Sequence, residues 1–155
     1  MNWSRKDVIA IHDLTADEIG LVLDMASSFK EISKRDIKKV PTLRGKTVVL
    51  LFYEPSTRTS SSFIAAMQRL GGSVIPIHGV QYSSVSKGES LPDTIRTLEC
   101  YADVIVLRHP EVGASEVAAR YASKPIISAG DGVGEHPTQG LLDLYTIFSE
   151  LGTID

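Results

Sequence analysis

Cysteine is nearly missing from this chain: Cys100 is the only one in 155 residues, so no internal disulfide framework can form and no paired-cysteine metal spacing exists. That usage fits a reducing cytoplasm. An excess of positive charge is also missing. Sixteen lysines and arginines face 19 acids, a formal net charge of -3, and this leaves no global basic field to hold nucleic acid or an anionic membrane. Any anion site must therefore be local. Long hydrophobic runs are absent as well: the opening MNWSRKDVIAIHDL has no apolar stretch long enough for a signal peptide, and TVVLLF is far too short to span a bilayer. The expectation is a soluble cytoplasmic protein without nucleic-acid or membrane partners. Finally, His12, His78 and His109 have no partner at metal-ligand spacing, so no metal is expected, and Cys100, beside the inward stripe of a helix, reads as a packing residue.

What is present suffices for one core. A hydrophobic content of 43% over 155 residues suits a single domain, since domains commonly run to roughly 100–200 residues. Thr15 with Glu18 forms a capping-box pattern, and Ile19, Val22, Leu23, Ala26 and Phe29 recur at helical spacing, which predicts a helix over 16–32. Thr47 to Phe52 is a continuous β-branched and apolar run, hence a buried strand. The alternation then repeats. Phe63, Ala66, Met67 and Leu70 mark a helix stopped by Gly71 and Gly72 before the strand SVIPI; Leu91, Ile95, Leu98 and Ala102 precede VIVL; Val117, Ala118 and Tyr121 precede PIIS. A last helix turns Leu141, Leu144, Tyr145 and Phe148 inward. Short apolar strands separated by helices predict an α/β fold, a doubly wound four-stranded parallel sheet with helices on both faces.

In such sheets ligands bind beyond the carboxyl ends of the strands, where the winding reverses. The segments following the strands are EPSTRT, HGVQYSSVSKGES, RHP and AGDGVGEHPTQ, and nearly all the candidate polar chemistry lies in them. Ser56, Thr57, Arg58 and Thr59 stand between a strand and a helix that begins within them, so backbone N–H groups lacking intrahelical acceptors, hydroxyls and a guanidinium fork occur together. The tetrapeptide alone fits a capped helix start with a surface arginine equally well. It is no Walker loop, because GxxxxGK[ST] is absent and the glycine-rich segment follows the fourth strand. Gly130, Gly132 and Gly134 there allow tight turns that present His136 and Gln139, with Pro137 in the first turn of the last helix. His136 alone is more often a capping or core histidine, and Arg108 alone could be a rim residue. Yet Arg108 directly ends VIVL, so its side chain emerges into the crevice where the helix beginning at Ser56 starts.

Three segments, FYEPSTRTSSSFIAAMQRLGGSV, KGESLPDTIRTLECYADVIVLRHP and AGDGVGEHPTQGLLDLYTI, together resemble the amino-terminal halves of aspartate carbamoyltransferases, over about residues 8–151. Ornithine carbamoyltransferases share the fold and a similar STRT loop, but Thr138 in HPTQ, the RHP segment and KGES favour the aspartate family. Ser60 and Ile64 depart from common bacterial members, which more often carry arginine and an acid there; the STRTSSSF form is similar to the domain in the fused pyrimidine-pathway protein of animals.

The resemblance implies a carbamoyl-phosphate site in which Ser56, Thr57, Arg58 and Thr59 hold the phosphate. Thr59, Arg108 and His136 would surround the carbamoyl oxygen, and Gln139 would bind the carbamoyl amino group. It also implies that a serine and a lysine of the loop after the second strand act in a neighbouring subunit of a homotrimer, matching Ser83 and Lys87; Ser83 is chosen from Ser83, Ser84 and Ser86 by its spacing from Lys87. No cofactor is implied. The implied reaction transfers a carbamoyl group to the α-amine of aspartate in pyrimidine biosynthesis. The family's aspartate-binding domain has no counterpart before the sequence ends at LGTID, so residues 1–155 read as the carbamoyl-phosphate-binding domain alone. They would be inactive by themselves, as a catalytic half or as a non-catalytic phosphate-binding module.

Overall fold

A computed structural model of the protein describes residues 3–79 and 87–153. The first helix, α1 (Ala16–Ser33), starts where the sequence places it: Thr15 Oγ1 accepts the Glu18 N–H at 3.2 Å while the Glu18 carboxylate accepts the Thr15 N–H at 2.9 Å. Four strands follow, each feeding a helix: β1 (Thr47–Phe52), α2 (Thr57–Arg69), β2 (Ser73–His78), α3 (Leu91–Leu98), β3 (Val104–His109), α4 (Ala114–Tyr121), β4 (Ile126–Asp131) and α5 (Pro137–Leu151).

All strand pairs are parallel, in the order β2-β1-β3-β4. The chain thus winds outward from β1 to β2, crosses back over β1 to β3, and winds outward again to β4. This is the expected doubly wound sheet, and its reversal lies between β1 and β3. Alternation along the strands splits the core in two. Val49, Leu51, Ile105, Leu107 and Ile126 face Ile95 of α3 and Ala118 of α4, while Val48, Leu50, Phe52, Val106 and Ala129 face Phe63, Ile64 and Met67 of α2.

The sheet edges are treated differently. Beyond β4, Val8 pairs with the strand through two backbone hydrogen bonds, Val8 N–H to the Ile126 carbonyl at 2.9 Å and Ser128 N–H to the Val8 carbonyl at 2.8 Å. β2 is the other edge, largely exposed, and carries Pro76, a residue that cannot donate to a further strand.

Four expectations need correction. In α4 the buried face is Ala114, Ser115 and Ala118, while Val117 and Tyr121 are exposed, because small side chains bring this helix close to the sheet. Tyr121 instead lies under the Arg96 guanidinium, 5.3 Å from its ring centroid. Phe148 is partly exposed on α5, and Cys100 is exposed past the end of α3 with its Sγ 3.4 Å from the Arg96 carbonyl, so it packs no core. Ala102 is buried but lies beyond α3.

Candidate functional site

The carboxyl ends of β1 and β3 sit side by side at the winding reversal, with Phe52 paired to Arg108 and the Tyr53 N–H donating to the Arg108 carbonyl at 2.9 Å. Strand alternation puts Arg108 on the same face as Val106, Phe52 and α2. An open cavity of about 750 Å³ lies there, walled by the first turns of α2 and α5 and by Arg108.

α2 begins on Ser56, among the best capping residues, yet the Ser56 side chain makes no capping bond; α1 and α3, by contrast, are closed by the hydroxyls of Thr15 and Ser90. α5 begins on His136, also without a side-chain cap, with the buried Pro137 at its first position. Two helix amino-termini therefore open on one cavity, each a partial positive charge. Arg58 and Thr59 on α2 and His136 and Gln139 on α5 line it together with Arg108.

Arg108 is held in place on two sides. Its Nη1 donates to the Ala129 carbonyl at 3.1 Å, and the Glu54 carboxylate stands 3.4 Å from Nε without hydrogen-bond geometry. Gly130 makes room for it: a Cβ there would lie 3.1 Å from Arg108 Nη1 and 3.5 Å from His136 Cδ2, on a backbone with φ of +115°. The Arg108 and His136 side chains thus meet over a residue that has no side chain. Gly130 lies within β4, which runs three residues past Ser128 into the glycine-rich stretch expected to be loop. Asp131 then pins that stretch, its carboxylate accepting the N–H groups of Gly113 at 2.8 Å and Glu135 at 2.5 Å.

His136 stays neutral more readily than a free histidine. Burial lowers its pKa from 6.5, and the positive charge of Arg108 lowers it further. Its Nδ1 lies 3.3 Å from the Thr138 hydroxyl. The Gln139 amide nitrogen donates to Asp143 at 2.9 Å, so the amide oxygen is what this residue can offer to a ligand N–H. The cavity presents a guanidinium pair, two helix termini, a hydroxyl and a neutral imidazole, donors suited to a small oxyanion carrying an adjacent carbonyl.

The family model described as "Aspartate/ornithine carbamoyltransferase, carbamoyl-P binding domain" matches residues 6–149. The chain belongs to this carbamoyltransferase family. It is 52% identical over 155 residues to the aspartate carbamoyltransferase catalytic subunit of Thermococcus gammatolerans, covering all of this chain and 50% of that protein. It is also 52% identical over 148 residues to the multifunctional protein CAD of Squalus acanthias, covering 96% of this chain and 6% of that protein. Among solved structures it is similar to the aspartate transcarbamoylase of Trypanosoma cruzi in complex with carbamoyl phosphate and aspartate. There the TM-score is 0.89 at 46% identity, over 97% of this chain and 46% of that one. The chain spans about half the length of the catalytic subunits it matches.

Within this carbamoyltransferase domain the fold brings together most of the residues expected from sequence. Arg58, Thr59, Arg108, His136 and Gln139 line one cavity, with Ser56 and Thr57 on the turn that opens it. Lys87 is exposed just before α3 and away from the cavity lining; Ser83 lies outside the described residues. Sequence reasoning missed Glu54 as the anion beside Arg108, Gly130 as the space Arg108 and His136 share, and Ser62, which lines the cavity and donates to the Thr59 carbonyl at 2.8 Å. A signal existed for Ser62, one helical turn beyond Arg58 on the same face.

Proposed function

We propose that this chain is the carbamoyl-phosphate-binding half of an aspartate carbamoyltransferase, the enzyme that carbamoylates the aspartate α-amine in pyrimidine biosynthesis. The observation that carries the reading is the convergence of Arg58, Thr59, Arg108, His136 and Gln139 on one cavity between two uncapped helix starts. The aspartate form, as opposed to the ornithine form, is supported by the names of the relatives at about half identity over the whole chain.

The α2 terminus with Ser56, Thr57, Arg58 and Thr59 binds the phosphate. Arg108, neutral His136 and the Thr59 hydroxyl face the carbonyl oxygen, and the Gln139 amide oxygen accepts from the carbamoyl amino group. The amine of aspartate attacks the carbonyl carbon, the C–N bond forms, and a tetrahedral species places negative charge on that oxygen. The C–O bond to phosphate then breaks as the nitrogen's proton passes to the departing phosphate. Loss of one oxyanion donor costs roughly 3–4 kcal/mol in the transition state. Aspartate recognition belongs to a second domain outside residues 1–155, and Lys87, with Ser83, serves a neighbouring copy in a homotrimer. No cofactor takes part.

Titration calorimetry with carbamoyl phosphate and a stable phosphonate analogue tests the phosphate assignment. Arg58→Ala removes one partner of a charge-assisted contact. In a desolvated site that costs about 2–5 kcal/mol, and less in this open cavity. Equal affinity in wild type and Arg58→Ala would sink the reading.

A further inference from the structure

The first turn of α2 is open at its cap and must still be held in register with Arg108 and His136. Apolar packing holds the helix further along, from Phe63 onward. Within the first turn the one buried side chain is Ser60, 6% exposed, whose Oγ lies 3.2 Å from Nε2 of His78. His78 is the last residue of β2, paired in register with Phe52, and its ring stands edge-on to the Phe52 ring with centroids 5.7 Å apart. The imidazole is therefore fixed against the end of β1 before it meets the serine.

We infer that Ser60 and His78 form a positioning pair that ties the anion-binding turn of α2 to the carboxyl ends of β1 and β2. The pair does not touch the ligand; it sets where the N–H groups and the Arg58 and Thr59 side chains stand. Ser60 immediately follows Thr59, so any drift of its Cα is passed directly to the residue that lines the cavity. The inference deepens the carbamoyl-phosphate reading and rests on it for its ligand, although the tether itself can be measured without one.

The experiment uses the 155-residue chain as wild type, Ser60→Ala, His78→Ala, their double variant, and His78→Gln, whose amide nitrogen reaches the place of Nε2. Titration with carbamoyl phosphate should show each alanine variant weakened about three- to tenfold, the range expected for one lost hydrogen bond. The double variant should be no weaker than the worse single, and His78→Gln should recover most of the loss. Amide hydrogen exchange at residues 57–60, followed without ligand, should accelerate by a similar factor in both singles and no further in the double. A merely structural serine would lower the melting temperature and leave affinity in the folded protein unchanged, which overturns the inference; so does additive loss in the double variant. If wild type and Arg58→Ala bind alike, the carbamoyl-phosphate reading fails separately, and unchanged exchange in Ser60→Ala then overturns the tether on its own.

Discussion

His109 closes β3 with its ring 4.4 Å from that of Tyr53, and its Nδ1 accepts the Glu111 N–H at 3.1 Å, a bond that a doubly protonated ring cannot keep. Burial holds its pKa below 6.5, as it does for His136. The folded state thus binds fewer protons than the unfolded chain once the pH drops through about 6.5. Stability is fully present above that value and is lost as pH falls toward the lower folded pKa. Thermal melting from about pH 7.5 to 5.5 should therefore fall in the wild type and fall less in His109→Asn, whose Oδ1 can replace the acceptor. Identical slopes would show that His109 titrates normally. At this scale the sequence was informative where a residue abuts a strand end: Arg58, Arg108 and His136 could be placed because the segments after the strands converge in this fold class. Glu54 could not, since its standing beside Arg108 depends on the register that pairs Phe52 with Arg108.

Elements were legible where the apolar signal is strong, as in β1, buried on both faces, whose bounds match the apolar run from Thr47 to Phe52. They were less so where small residues decide the packing. α4 buries Ala114, Ser115 and Ala118, so bulk misleads about which side faces in. β4 continues through Gly130, a residue that ordinarily argues for a loop, because the space above it is needed by Arg108. Gly130→Ala should cost about 1–3 kcal/mol of stability through strain at its positive φ, and should also weaken carbamoyl phosphate binding by displacing Arg108. Gly45→Ala separates the two effects: its φ of +80° is strained too, but no atom lies within 4 Å of the added Cβ, so chemical denaturation should register a loss and calorimetry none. Retained affinity in Gly130→Ala would mean Arg108 does not depend on that space. Ile95→Ala, which empties a fully buried position between the sheet, α3 and α4, should cost about 2–5 kcal/mol in the same unfolding assay and leave affinity unaffected.

At the scale of the whole molecule, the proposed sharing of sites predicts complementation. Longer chains that carry the second domain, one with Lys87→Ala and one with Arg58→Ala, should each be nearly inactive and should regain part of the carbamoylation rate when mixed. Strictly additive, near-zero activity in every mixture would show that each copy holds its own complete site. The 155-residue chain alone should transfer labelled carbamoyl groups to aspartate negligibly, because among the described residues nothing excludes water from the open cavity or holds the amine near the carbonyl. Assembly of the sheet adds a constraint of a different kind. The walls of the cavity meet only when β3 slots beside β1, bringing together residues such as Thr47 and Asp103 that are 56 positions apart, while β2 has already gone to the other side. Closing so long a chain loop is slow compared with forming any of the helices. Affinity for carbamoyl phosphate should accordingly appear late in refolding, after helical signal has largely returned, which would make the ligand a kinetic reporter of the moment the two halves of the sheet join.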